Sequence, residues 1–243
     1  MSIESNSLPP FEYHSRDIPD LALLQRRLTS VLSAIAGTVD VISFVSLKIF
    51  TAHITGNLVI IAAVLVTGGA PSMDQIIAVP VFIVAVAVVW LIARALDQPG
   101  KSRLRVLLLV HLLLLTCVLI YSIITHPDAN PRGFAADVAA MIAVSAMACQ
   151  FALLRLAVPG APSTAVMTGN LTKTILSLLD SLAESERRQE AREHLERSLE
   201  LVLPFFAGCL VGALAVSSFG DWAWSLPVLL AGAALLLLPR RRD

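Results

Sequence analysis

Long apolar runs separated by short polar breaks make up most of the chain. Six of them, residues 28–47, 76–96, 104–125, 134–156, 201–219 and 222–238, reach or approach the length that crosses a bilayer, for which a helix needs roughly 20 apolar residues. Two further segments, 58–66 and 171–182, are apolar but short. The first ends in Thr67, Gly68, Gly69, Ala70 and Pro71, and the second is amphipathic, carrying Thr172, Lys173, Thr174, Ser177 and Asp180. Nine helical residues at ~1.5 Å each reach ~14 Å, about half of a hydrocarbon core. The pattern therefore predicts six crossing helices and two half-helices.

Both short segments follow the same four residues. Thr55-Gly56-Asn57-Leu58 opens the first and Thr168-Gly169-Asn170-Leu171 opens the second, 113 positions later. The helices upstream match as well. Thr29, Ser33, Ala36, Asp40 and Ser43 form a small or polar stripe at three- and four-residue spacing, the spacing of one helix face. Ala139, Ala143, Ala146 and Gln150 form another on the fourth long segment. Asp40 and Gln150 take corresponding places. The spacing from stripe to T-G-N differs by three residues, which an insertion around Pro159–Pro162 absorbs. Each half then reads as one long helix, a T-G-N half-helix and two long helices.

Charge sets the expected orientation, because cytoplasmic loops favour Lys and Arg. With six crossings and both termini cytoplasmic, sixteen of the 18 basic residues lie inside and only Lys48 and Arg132 outside. Eight crossings would split them twelve to six and misplace the cluster at Lys101, Arg103 and Arg105. The expected fold is an all-α membrane protein of six transmembrane helices in two inverted three-helix repeats, each with a short re-entrant half-helix after a T-G-N motif. Residues 1–27 are expected as a cytoplasmic tail, 28–125 as the first repeat and 126–133 as an external loop. Residues 134–238 form the second repeat, including a charged cytoplasmic helix at 184–200, and 239–243 a cytoplasmic tail. Opposite charges four apart at Glu184/Arg188, Arg192/Glu196 and Glu193/Arg197 support that helix by a few tenths of a kcal/mol each. Residues 1–27 hold four acids and no apolar stretch, unlike a cleaved signal peptide.

Composition agrees. The chain has 243 residues, 56% hydrophobic and only 15% charged, with mean hydropathy +0.78, whereas charged residues make up about a quarter of a soluble domain. That excludes a soluble enzyme, a nucleic-acid binder and a secreted disulfide scaffold. Net charge is zero, so no polyanionic partner is implied. Cys117, Cys149 and Cys209 lie within apolar runs and read as packing residues. No hydrolase, phosphate-loop or Cys/His metal signature occurs, so neither an enzyme, a cofactor nor a metal is expected.

The candidate chemistry lies in the two motifs and the stripes. Non-helical backbone at membrane depth is tolerated only where protein buries it or water reaches it. Asn57 and Asn170 are expected to cap the half-helices, Gly56 and Gly169 to allow a bend or close approach, and Thr55 and Thr168 to offer hydroxyls. Paired half-helices in inverted repeats build midplane solute sites; the competing reading is that T-G-N only caps and packs a hairpin. Asp40 is the one acid well inside an expected crossing, with His53 or Lys48 as its partner. Such residues line polar interiors or ion paths, although a purely structural pairing fits equally. His111 stands among leucines and reads as packing. Gly208-x-x-x-Gly212 reads as packing within the monomer ahead of a homo-oligomer contact. Trp222 and Trp224 read as an outer interfacial anchor.

The T-G-N pair, Gly37-Thr38-Val39-Asp40 with Phe50 and His53, and Gln150 with Thr168-Gly169-Asn170-Leu171-Thr172 together resemble the YoaK-like family of bacterial integral membrane proteins, grouped as a domain of unknown function. The resemblance covers roughly residues 28–238 and implies a bacterial inner-membrane protein without an assigned activity. Its motif positions fall on Gly37, Asp40, Thr55, Gly56 and Asn57, then Gln150, Thr168, Gly169 and Asn170. Ala148-Cys149 stands ahead of Gln150 where a glycine belongs. The functional expectation is a transporter or channel for a small polar solute or ion, lined by Asp40, His53, Thr55, Gly56, Asn57, Gln150, Thr168, Gly169 and Asn170. The alternative is a non-transporting scaffold or accessory subunit docking through 184–200.

Overall fold

The computed structural model describes residues 18–70, 72–96, 101–158, 160–183 and 188–239. In order they form α1 (Ile18–Leu47), α2 (Ile54–Val66), α3 (Met73–Ala95), α4 (Lys101–Thr125), a 3-10 turn (Pro127–Ala129), α5 (Phe134–Ala157), α6 (Met167–Leu182), α7 (Arg188–Phe219), a second 3-10 turn (Gly220–Trp224) and α8 (Ser225–Leu236). No strand occurs among the described residues. Five stretches are long and apolar enough to cross a membrane, the fifth being the run from α7 through α8. That run breaks at Gly220, whose φ of +52° suits glycine. The segment expected at 222–238 is thus a 3-10 turn followed by a 12-residue helix.

The chain is apolar outward and partly polar inward. Ile83, Val84, Leu91, Leu203, Phe206 and Leu214 are exposed, while Ser33, Thr38, Ser43, Gln150 and His111 are buried. Water would not stabilise such a surface, and lipid would. Both predicted stripes face the interior: Thr29, Ser33, Ala36, Asp40 and Ser43 on α1, and Ala139, Ala143, Ala146 and Gln150 on α5.

The most extensive contact is α1 on α7, followed by α3 on α5, α4 on α5 and α6 on α7; α1 on α8, α4 on α8, α2 on α3 and α1 on α5 complete the packing. Glycine makes the α1–α7 crossing close. A Cβ added at Gly208 would lie 2.3 Å from Ala34 O, and one at Gly37 2.1 Å from Phe205 O. Gly208 and Gly212 therefore pack within the monomer. Pro204 has no N–H for the carbonyl of Glu200, and Ser30 Oγ donates to that carbonyl at 2.8 Å. Ser33 Oγ donates to Leu201 O at 2.7 Å.

Three local expectations change. The tail from Ile18 is already helical, since α1 starts ahead of the apolar run; residues 1–17 lie outside the described set. The charged helix from Arg188 is continuous with α7, and its Glu193–Arg197 pair forms at 3.8 Å between exposed side chains. The Arg192/Glu196 pair does not form among the described ion pairs, and Glu184 lies outside the described residues. A firmer tie there is Arg26 with Glu200, joining α1 to α7. Trp222 is exposed, as an interfacial residue would be, but Trp224 is fully buried because the 3-10 turn rotates it inward.

Candidate functional site: two polar clusters

α1 ends at Leu47, Lys48 takes a positive φ of 59°, and the chain then runs unwound to α2. Unwinding leaves backbone amides without helical partners. Asp40, two turns back in α1, supplies the acceptor: its Oδ1 receives Thr51 N at 3.0 Å and Ala52 N at 2.9 Å. Its Oδ2 is 2.5 Å from His53 Nδ1. Of the two partners the sequence offered, His53 is the one engaged; Lys48 Nζ donates instead to Val45 O. Asp40 is nearly buried at 10% side-chain exposure, whereas His53 keeps 35%, so the pair is reachable only through the imidazole. Phe205 of α7 meets the ring edge-on at 5.9 Å between centroids. Ser43 and Thr51 hydroxyls lie 3.1 Å apart beneath.

Asn57 does not cap α2, as expected from the motif. α2 begins at Ile54 with His53 as N-cap, so the asparagine already lies within its first turns. Its amide reaches back instead to Phe50, donating from Nδ2 to the carbonyl at 2.8 Å and accepting the N–H at Oδ1 at 3.3 Å. One buried side chain thereby satisfies both backbone groups of a loop residue, the requirement on irregular backbone away from water. Gly56 has no positive φ; a Cβ there would rest against the Phe50 ring at 3.4 Å. The glycine allows ring contact rather than a bend. Thr55 is exposed.

The second half repeats this arrangement with different chemistry. Asn170 Nδ2 donates to Ser163 O at 2.9 Å, also seven residues back, and α6 begins at Met167 with Val166 as N-cap. The two N-caps have nearly the same backbone, φ −112°, ψ 61° at His53 and φ −119°, ψ 62° at Val166. Gln150 Nε2 donates to Thr164 Oγ1 at 3.2 Å and to Leu32 O on α1 at 2.9 Å. Its buried Oε1 has no partner among the described residues. Gly169 meets only Val166 Cγ1, at 3.2 Å from an added Cβ, and Thr168 is exposed.

The nine candidate residues thus fall into two clusters rather than one. Asp40, His53 and Asn57 meet around the α1–α2 loop, and Gln150 and Asn170 around the α5–α6 loop. Gln150 touches α1 at Leu32, eight residues or ~12 Å along the helix from Asp40. Two cavities, of about 460 and 530 Å³, lie elsewhere, between α3, α4 and α5, and share Ile77, Leu114 and Ser145 in mostly apolar walls. His111 is more than packing: fully buried, its Nδ1 donates to Ala146 O of α5 at 3.0 Å. Sequence reading passed over one further group, His126, Asp128 and Asp221. No spacing signal joins them, because His126 and Asp221 are 95 residues apart.

Apolar crossing-length helices around a polar seam define a helical membrane protein. The chain belongs to the family described as Protein of unknown function (DUF1275), whose model matches residues 28–237. No curated protein and no solved structure matches it.

Proposed function

We propose that the protein crosses a bacterial inner membrane six times, both termini cytoplasmic, as two inverted three-helix repeats with α2 and α6 as re-entrant half-helices, the sixth crossing being made by the second 3-10 turn and α8 together. Between the repeats it passes a small polar solute or ion, as transporter or channel, and it catalyses no reaction. Packing supports the repeat: exchanging α1–α4 for α5–α8 turns α1–α7 into α5–α3, α4–α5 into α8–α1 and α2–α3 into α6–α7, each a contact the molecule makes. The matched asparagine-to-carbonyl bonds, 57 to 50 and 170 to 163, support it independently.

One observation carries the transport reading: a carboxylate at membrane depth, Asp40, paired with a half-exposed imidazole, His53, beside unwound backbone. An ionisable pair is expensive there, and packing alone would be served by a neutral residue, as Gln150 does in the other half. The imidazole is the member of the pair that keeps exposure, and histidine is a proton-exchanging side chain, so the reading favours a proton- or cation-coupled step.

The test is flux in proteoliposomes containing a pH-sensitive dye, under imposed proton, potassium, sodium and chloride gradients, for wild type and Asp40→Asn. Wild type should carry a flux that Asp40→Asn lowers about tenfold or more, as loss of a charge-assisted hydrogen bond implies. Equal flux through a variant that unfolds at the wild-type temperature overturns the reading. A wild type silent under every gradient turns the assignment to the scaffold.

A further inference from the structure

At the end of the molecule that carries the α4–α5 loop, two connections meet. Thr125 closes α4, His126 turns the chain at a positive φ of 45°, and Asp128 follows in the 3-10 turn. From the other side the α7–α8 turn brings Asp221. His126 Nδ1 lies 3.1 Å from Asp221 Oδ2, and one ligand-type atom from each of His126, Asp128 and Asp221 falls within 4.8 Å of the others. Gly220 keeps the approach open, since a Cβ there would stand 3.2 Å from Asp128 Oδ2.

Two carboxylates close together, with one histidine and no Lys or Arg pairing to either among the described ion pairs, are unfavourable unless a shared proton or a cation joins them. The second observation concerns Asp221 alone. It is 5% exposed, and its other oxygen, Oδ1, is buried without a hydrogen-bond partner among the described residues. A buried carboxylate oxygen left unpaired is costly.

The geometry points to a divalent transition-metal site, of zinc type, formed by His126, Asp128 and Asp221 and clamping the α4–α5 loop to the α7–α8 turn. One imidazole nitrogen with two carboxylate oxygens suits borderline ions such as Zn²⁺ better than Mg²⁺ or Ca²⁺, which prefer all-oxygen shells, or Cu⁺, which prefers sulfur. Ligand distances of ~2.1 Å place neighbouring ligand atoms about 3.0–3.5 Å apart, which the His126–Asp221 pair already meets; exposed Asp128 closes the rest by a side-chain rotation. Exposure of His126 and Asp128 leaves room for water to complete the shell. The site stands apart from the Asp40 cluster and does not depend on the transport reading.

The test uses the full chain in detergent, purified without a histidine tag, titrated with Zn²⁺ against a chromophoric chelator, with Mg²⁺ and Ca²⁺ as controls. Wild type should bind one Zn²⁺ per chain and unfold at a higher temperature with it. The exposed-residue variants Asp128→Asn and His126→Gln fold without relying on a buried group. Each should weaken binding about tenfold or more and lose the thermal shift. Co²⁺ in place of Zn²⁺ should give a visible spectrum that both variants abolish. No Zn²⁺ binding by wild type, equal binding by both variants, or equal stabilisation by Mg²⁺ overturns the assignment.

Discussion

The α1–α7 and α3–α5 crossings occupy corresponding places in the proposed repeat, yet they are built differently. At α1–α7, Gly37, Gly208 and Gly212 bring the backbones to distances no side chain could share, and Ser30, Ser33 and Thr38 donate across to α7 carbonyls. At α3–α5 the α5 face is alanine-rich and α3 buries Asp74, Ala78, Val89 and Ala93, with no glycine in either helix, and the two apolar cavities open beside it. The polar clusters diverge in step. Beside the tight crossing is a carboxylate that satisfies two amides and an imidazole; beside the loose one is a neutral amide whose oxygen has no partner among the described residues. A shared plan thus carries a rigid, charged side and a softer, neutral one. If one half moves against the other, the α3–α5 side has the room to deform and the α1–α7 side the chemistry to hold a site.

The most decisive way to break this comparison is to ask whether the halves are inverted at all. In a chain with Cys117, Cys149 and Cys209 replaced, single cysteines at Ser72 and Ser102 are treated in intact cells with a membrane-impermeant thiol reagent. Six crossings place Ser72 outside and Ser102 inside, so only position 72 should label. Labelling of 102 alone means that α2 crosses, the repeats are parallel and the two crossings are not equivalent.

Next in size is the contrast in packing. Gly208→Ala forces a Cβ against the Ala34 carbonyl at 2.3 Å, a backbone atom that cannot step aside, and overpacking of that kind costs about 3 kcal/mol. Ala85→Leu lines a cavity of about 460 Å³ and should be neutral or stabilise by about 1 kcal/mol. Unfolding in mixed micelles at increasing SDS separates the two. Equal destabilisation by both would show that the α3–α5 cavities close in the bilayer and that the asymmetry is not real.

Much of the architecture was legible because a bilayer imposes length and polarity on every crossing. The apolar runs 104–125 and 134–156 fall almost exactly on α4 and α5 for this reason. Where that constraint stops, so did the reading: residues 18–27 mix charges with leucines and carry no apolar run, yet they extend α1. The T-G-N pair is legible as a repeated motif, but its asparagines do not cap the helices. Capping is a contact over two or three residues, whereas Asn57 and Asn170 act seven residues back. Asp40 was singled out by charge alone, and its partner amides at Thr51 and Ala52 could be found only once the chain had turned. Trp224 and the His126–Asp221 pair depend on a turn geometry that no periodicity encodes.

The smallest effects give the finest comparison of the halves. Asn57 makes two hydrogen bonds to Phe50, and Asn170 makes one to a backbone carbonyl, that of Ser163. Asn57→Ala leaves a donor and an acceptor buried and should destabilise by about 2 kcal/mol, against about 1 kcal/mol for Asn170→Ala. The local consequence should differ more than the energies. Releasing Phe50 loosens the loop that presents Thr51, Ala52 and His53 to Asp40, so amide exchange at residues 50–53 should quicken in Asn57→Ala. In Asn170→Ala the quickening should centre on 163–165 and leave 50–53 protected. Exchange that rises in both loops with either substitution would mean the clusters communicate through Gln150 and Leu32, and the two halves would then act as one site.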